Sequence, residues 1–514
     1  RLKTENEFRE LSVIHPANQI SVVSFYSKYK ELILYYCSKS PFSIRKPHRV
    51  AKFTYFNDKR NKQKKAGKPE RDIIEIFGKE YENLKTFFVY KNYSNIYKFY
   101  ESYTYQRCEK KYNKLFIFDI TKCFDSIYTH SLSWAIFNKE IVKENIKLNY
   151  NSFGGVFDTL MQQLNYNETN GIIIGPEFSR IFAEVLLQQI DFKVYTILKR
   201  KKILHKTQYE IFRYVDDYFL FYNDENVKKE VIDLFRIELS NFKLYINEAK
   251  LKLYSKPIIT ELTIAKEKIS DLINKRIELI SEPLQKDTEE DSDDEVSESK
   301  VKKYSIYFNA KRTIIDFKTI IKEASIEYKD ILNYTLSIID RKIFKIIKKY
   351  DKATFENDDK EKKFKEKFIK AIIEILDFTF FLYSVSPRVN TTIKICTVLS
   401  KLTKFINKKA IKSNPQEKYF NNDLKNMAFK KIFDEISLVL NKNRNNENTQ
   451  VESLYLIIAL FDLGRDYRLD KETLRKYLNI NISDNGNYDF PYSFNYWSIS
   501  VLLFYIRDLI RYRK

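Results

Sequence analysis

The chain has 514 residues, 91 Lys and Arg against 69 Asp and Glu for a formal charge of +22, and 16% aromatic residues, among them 38 Tyr and 40 Phe. That length suits two or three domains with a large buried core, and the cationic excess points to a polyanionic partner, most simply nucleic acid or nucleotide. Only 8 Gly, with neither a GxGxxG nor a GxxxxGK[ST] string, argue against dinucleotide-binding and P-loop folds. Cys37, Cys108, Cys123 and Cys396 are scattered without a CxxC pair, so neither a zinc site nor a disulfide framework is indicated and a reducing cytosol fits. The wealth of Lys, Asn, Ile, Tyr and Phe also fits an AT-rich coding bias, which explains abundant lysine but not the surplus of positive charge. No basic-plus-apolar leader opens the sequence, and no apolar run reaches the ~18 residues a membrane span needs, so a soluble intracellular protein with no membrane partner is expected.

In chain order, Ser21–Cys37 reads as helical and carries Tyr26, Tyr29, Tyr35 and Tyr36. Phe42-Ser-Ile-Arg45-Lys46-Pro-His-Arg49 is a short basic strand whose cations suit phosphate oxygens, or an ordinary solvated strand. Residues 59–71 hold seven basic residues in thirteen and read as an exposed loop. Lys114–Ile120 looks like a strand, and Ser179–Leu198 like a long amphipathic helix with Ile181, Phe182, Val185, Leu186, Ile190 and Val194 at helical spacing. Ile211–Tyr222 reads as two apolar strands interrupted by Asp216 and Asp217. Strands mixed with helices make this part an α+β domain.

Composition then breaks. Residues 287–298 hold eight acidic residues in twelve and almost nothing apolar, which reads as a linker or exposed loop. Beyond it the pattern is helical. Phe364, Phe368, Ile369, Ile372, Ile373 and Leu376 recur at helical spacing, Val451–Leu463 is apolar nearly all round with Gly464 as a natural C-cap, and 501–510 is similar. The expected division is therefore 1–280, a linker at 281–300, and an all-α bundle or degenerate repeat stack at 301–514.

Acidic side chains inside an apolar hairpin are costly to bury unless their charge is compensated. A β-turn accommodates Asp216 and Asp217; so does a divalent cation, and hard Mg²⁺ prefers carboxylate oxygen. Asp119 ends the apolar run Leu115–Phe118 and supplies a third carboxylate from a neighbouring strand, with the Ile120 main-chain carbonyl as a further ligand. Two Mg²⁺ ions about 3.5–4 Å apart in such a set, or Mn²⁺ in their place, activate a hydroxyl and stabilise a leaving pyrophosphate.

These strings resemble the palm of reverse transcriptases. Tyr214-Val-Asp216-Asp217 resembles motif C, and Asp119 with Phe124 resembles motif A, 97 residues upstream. The resemblance makes Phe124 the aromatic that packs beneath the sugar and excludes a 2′-hydroxyl, so that dNTPs are preferred; by its residue type alone it equally suits a core aromatic. Gly171-Ile-Ile-Ile-Gly175-Pro resembles the motif B turn, with Gly175 at the glycine that lets backbone approach the nucleotide. Ile173 and Ile174 stand where Pro and Gln are usual. Asn247-Glu-Ala-Lys250 resembles motif D, which implies Lys250 as a general acid for pyrophosphate. Arg45, Lys46 and Arg49 fall on the fingers strand that grips triphosphate.

Within that superfamily, Asp119-Ile-x-x-x-Phe124, Tyr128-Thr-His130-Ser-Leu-x-Trp134, Tyr166-Asn-Glu168-Thr-x-Gly171 and Ser179-Arg180-Ile resemble the abortive-infection (Abi) polymerases of bacteria, relatives of the defence-associated reverse transcriptases. The resemblance implies a fingers-and-palm domain without an ordinary thumb, followed by a HEAT-like helical domain. It also implies template-independent DNA synthesis primed on a tyrosine (Tyr26, Tyr29, Tyr35 and Tyr36 being first candidates), single-stranded DNA attached to the protein, a homo-oligomer, a bacterial cytoplasmic setting and a role in phage defence. Two other readings stand beside it: a template-copying enzyme of the retron or group II type, and a non-catalytic nucleic-acid-binding scaffold. His130 reads either as a contact to a phosphate or to the primer, or as a packed, hydrogen-bonded histidine, and Trp134 as core.

Overall fold

The computed structural model describes residues 11–51, 87–90, 93, 95–283, 302–353, 355, 358–410, 422–444, 450–483, 485–491 and 498–499. The basic run at 59–71, the acidic run at 287–298 and the apolar stretch at 501–510 lie outside the described residues.

Among the described residues, one compact unit ends at Ile259 and a second begins at Thr260. This differs from a boundary at 280. Helix Glu261–Arg276 buries Ile269 and Ile273 in the same core as Leu279, Ile306 and the helices that follow. A charge run signals exposure; the border is set by which core a helix feeds.

The first unit opens with helix Pro16–Tyr36, longer at its start than expected because Pro16 fits the first helical turn. Val22, Phe25, Tyr26, Tyr29 and Ile33 form its buried stripe. Strand β1 (Pro47–Val50) pairs antiparallel with β2 (Phe88–Tyr90). Strands β3 (Lys114–Asp119), β4 (Tyr209–Tyr214), β5 (Asp217–Tyr222) and β6 (Lys252–Ser255) make an antiparallel sheet in the order β4-β5-β3-β6. The period of two sends Tyr218, Leu220 and Tyr222 to one face and Phe219 and Phe221 to the other. Both faces are covered, one by helices Glu177–Arg200 and Glu225–Ser240, the other by Phe99, Tyr105 and Tyr112. That is why these strands read as continuous apolar runs. Each large apolar side chain so buried contributes about 1.5–3 kcal/mol relative to exposure.

Helix Glu177–Arg200 begins after Pro176 and ends on Lys199 and Arg200, cations that favour a helix C-terminus. Phe178, Phe182, Leu186, Ile190, Val194 and Leu198 are buried along it. Glu184, Gln188 and Asp191 are buried on the same helix.

In the second unit β7 (Leu279–Pro283) pairs with β8 (Lys302–Ile306). Helices Glu261–Arg276, Tyr328–Asp351, Val389–Ala410 and Gln450–Phe461 pack each on the next but one, and so do Ala310–Glu323, Asp358–Val385 and Asn422–Asn443. Two helical layers result, joined by contacts between successive helices. Gly464 lies just beyond Phe461 with φ +103°. Among the described residues, no helix is long and apolar enough to cross a membrane.

Candidate active site

The β4–β5 connection is a hairpin in which Tyr214 pairs with Asp217 across Val215 and Asp216. Val215 has φ +61°, a left-handed conformation that a two-residue hairpin favours and a β-branched residue resists. Arg213 offsets that strain. Its Nη1 donates to the Val215 carbonyl at 2.9 Å. The same guanidinium donates from Nε to Asp191 Oδ2 at 2.7 Å, from Nη1 to Glu184 Oε2 at 2.8 Å and from Nη2 to Glu184 Oε1 at 3.2 Å. Tyr218 Oη donates to Asp191 Oδ1 at 2.9 Å, and Gln188 donates to Glu184 at 2.8 Å. Arg213 and Asp191 are fully buried.

Asp119, the last residue of β3, stands directly opposite Asp217, the first residue of antiparallel β5. The sheet register alone therefore brings two carboxylates to one end, and the hairpin adds Asp216. Burial, then the neighbouring Asp216 and Asp119 charges, push the Asp217 carboxyl up to about 7, with Lys250 opposing. Lys250, on the short 3-10 turn Glu248–Lys250, donates to Asp119 Oδ2 at 2.5 Å. Asp119 is buried, and its Oδ1 has no hydrogen-bond partner. Asn247 N–H donates to the Asp119 carbonyl at 2.9 Å. Ile120 is buried and bridges to Ile246.

Among the described residues, no group of three or more His, Cys, Asp or Glu stands in an arrangement that could hold a metal ion as it is. The Lys250 ammonium already neutralises one Asp119 oxygen. The donor set nevertheless suits a hard cation in kind. Asp216 and Asp119 lie near enough to Asp217 to help burial raise its carboxyl, and a buried carboxylate oxygen of Asp119 is left without a donor.

Phe124 is half-buried on the short helix Cys123–Ser126, and its carbonyl accepts from Ile172 N–H at 2.8 Å. Gly175 has φ +128°, and a Cβ there would lie 3.0 Å from the Ser12 carbonyl oxygen. Ser12 N–H donates to the Ile174 carbonyl at 2.8 Å. The backbone approaching this glycine is thus the chain's own, a contact the sequence offered no sign of.

The basic segment at 42–49 divides. Arg45 stacks on Tyr90 at 5.1 Å and on Tyr214 at 5.6 Å, and its buried Nε has no partner. It lines a small cleft with Tyr90, Arg180 and Val215. Lys46 instead donates to the Ser40 carbonyl at 3.1 Å, and Arg49 is exposed on β1. Of the tyrosines, Tyr26 and Tyr29 are each 8% exposed within the core, whereas Tyr35 is 53% exposed with Lys39 Nζ 2.5 Å from its hydroxyl. Tyr36 is half-buried and stacks on Phe153. The Arg213 network is the main feature that sequence reasoning missed. Its one sequence sign is a pair of acids seven residues apart, Glu184 and Asp191, with Gln188 between them on a helix face that is otherwise mostly apolar.

Residues 77–289 match the family model described as reverse transcriptase (RNA-dependent DNA polymerase). The chain therefore carries a reverse-transcriptase domain, a polymerase domain of the reverse-transcriptase superfamily, a class that generally works with divalent metal ions. No curated protein matches the chain. Among solved structures, it aligns with the apo telomerase of Candida tropicalis truncated from its C-terminal domain, at 18% identity over 29% of this chain and 33% of that one, with a TM-score of 0.23. It also aligns with telomerase of the same organism in complex with a fragment of telomeric RNA, at 14% identity over 59% of this chain and 49% of that one, with a TM-score of 0.24. A further alignment, to the apo telomerase, has 12% identity over 69% and 55%, with a TM-score of 0.26. The chain thus spans a third to about half the length of these structures.

Proposed function

We propose that the protein is a DNA polymerase that adds dNTPs to a strand started on one of its own tyrosines, without a template, and that it serves antiphage defence by abortive infection in the bacterial cytoplasm. The observation that carries the catalytic part is the pairing of Asp119 with Asp217, beside Asp216, inside a reverse-transcriptase domain. Asp119, Asp216, Asp217 and the Ile120 carbonyl would hold two Mg²⁺ ions, or Mn²⁺ in their place, which when bound lower the pKa of an attacking hydroxyl and neutralise pyrophosphate. Lys250, released from Asp119, stands ready to pass a proton to pyrophosphate. The Phe124 ring excludes a ribose 2′-oxygen by contact, and Arg45 offers a cation on the flank of the hairpin.

Absence of a template is supported by the turn at 172–175. Ile172 and Ile173 are buried, no amide side chain follows them, and Ser12 packs on its backbone. Tyr35, the exposed member of the tyrosine set, is the first priming residue to test. The two-layered helical unit is in keeping with a HEAT-like domain that assembles the protein into a homo-oligomer, which sedimentation at monomer mass would contradict. Purified protein incubated with labelled dNTPs and Mg²⁺ but no template is expected to yield protein-linked single-stranded DNA, lost in Asp216→Ala/Asp217→Ala. Absence of incorporation under all conditions defeats the reading. The description of the matched family favours copying from RNA as a second reading; a product whose sequence follows an added RNA would establish it.

A further inference from the structure

Downstream of Asp119 the chain builds a surface the reaction described above does not use. Tyr128, His130 and Trp134 are all half-buried. Their rings adjoin: Tyr128 lies 5.0 Å from His130 and 5.5 Å from Trp134, centroid to centroid. A lysine stands over each of the two larger rings. Lys243 Nζ is 4.4 Å from the Tyr128 centroid and Lys139 Nζ is 5.0 Å from that of Trp134, and both lysines are exposed. His130 is held in place from below. Its Nδ1 is 2.5 Å from Asp158 Oδ2, and Asp158 is only 4% exposed. Gln162 donates to the other Asp158 oxygen at 2.6 Å, so the carboxylate is fully engaged in orienting the imidazole.

We infer that Tyr128, His130 and Trp134, with Lys139 and Lys243, form a binding platform for single-stranded nucleic acid, occupied by the strand this protein synthesises. Half-buried aromatic rings accept bases by stacking whatever their identity, once the exposed, flexible lysines that stand over them swing out to the phosphates between the bases. A strand of unspecified sequence requires that combination. A duplex, whose bases are already stacked, has no use for the rings. The platform is tied to the polymerase site through the chain. Two residues beyond Lys243, the Tyr245 carbonyl accepts from Thr121 N–H at 2.8 Å, and Asn247 bonds the Asp119 carbonyl. The surplus of positive charge gives the strand a general attraction; the rings give it a seat.

The inference rests on the polymerase reading for its occupant, so the test omits nucleotide and synthesis. A fluorescent thymidine oligonucleotide is titrated into full-length protein and followed by anisotropy, with a duplex of equal length as comparator. Trp134→Ala and Tyr128→Ala are each expected to weaken single-strand binding about 5- to 150-fold, with Trp134→Phe close to the parent. Lys139→Ala/Lys243→Ala, changes at exposed positions that leave the core intact, should reduce the slope of log affinity against log salt by about 1.4. Unchanged affinity in the lysine pair, or in folded Trp134→Ala protein, overturns the platform; so does a duplex bound as tightly and with the same ring dependence. A parent that binds through the rings yet incorporates no dNTP leaves the platform standing and removes the polymerase reading. A parent that incorporates dNTPs while the platform variants bind normally does the reverse.

Discussion

Replacing Arg213 with methionine removes the guanidinium and nothing of comparable length. Asp191 and Glu184 then stay buried, the first with Tyr218 as its remaining donor and the second with Gln188. Removing one partner of a buried ion pair typically costs about 3–5 kcal/mol, because the surviving charge is left uncompensated. For a unit of this size each kcal/mol corresponds to about 2–4 °C in melting temperature, so the transition of the sheet-bearing unit should fall by roughly 6–20 °C. Differential scanning calorimetry of the full chain, compared with Arg213→Met, measures it. The sign with pH follows from the stranded acids. Burial already raises the Asp191 pKa with Arg213 opposing, so without the guanidinium the variant should lose stability as pH rises and come closest to the parent in acid. A shift under about 3 °C at neutral pH, or a deficit that grows on acidification, would refute the account of Arg213 as the counter-charge of this cluster.

Phe124→Val should admit ribonucleotides, raising the ratio of rNTP to dNTP incorporation about tenfold, since discrimination at one pocket contact is worth about 1–3 kcal/mol and about 1.4 kcal/mol is a decade; an unchanged ratio removes the sugar-contact role. Gly175→Ala should cost about 1–3 kcal/mol, because a Cβ at that φ is strained and meets the Ser12 carbonyl; urea unfolding indistinguishable from the parent would count against it. The hydrogen bond to Asp158 raises the His130 pKa above 6.5, outweighing burial. The pair therefore stabilises the folded state fully below the unfolded pKa and loses that contribution as pH rises through the folded one. The melting-temperature advantage of the parent over His130→Gln should shrink as pH rises above about 6.5, and an advantage independent of pH would show the imidazole to be neutral throughout.

The meeting of Asp119 and Asp217 at one end of the sheet could be read from sequence because it is a matter of register. Asp119 ends one apolar run and Asp217 begins another, so antiparallel pairing places them opposite each other without help from distant residues. The helix at 177–200 announced itself through its spacing. Glu184 and Asp191 did not, because an acid on a long amphipathic helix looks like solvent-facing polarity until the strand carrying Arg213 is laid against it. The contact of Ser12 with the 174–175 turn joins residues more than 160 apart and leaves no local pattern. The border at 260 was hidden for a related reason. The charge run downstream is conspicuous in composition, whereas a helix changing its core allegiance is not.

The closure of the Arg213 cluster away from water separates two sensitivities that assays of nucleic-acid enzymes usually confound. Ions in solution screen exposed charges over about 8 Å at physiological strength but act little on a fully buried pair. The exposed cations of this protein, Lys139, Lys243 and Arg49 among them, lie open to that screening. The support beneath Val215 does not. Raising the salt should therefore detach the strand long before it disturbs the turn that carries Asp216 and Asp217. If the proposed synthesis occurs, a salt titration of it reports on grip, with the Asp216–Asp217 hairpin as a constant background, and activity lost at high salt should return in full on dilution.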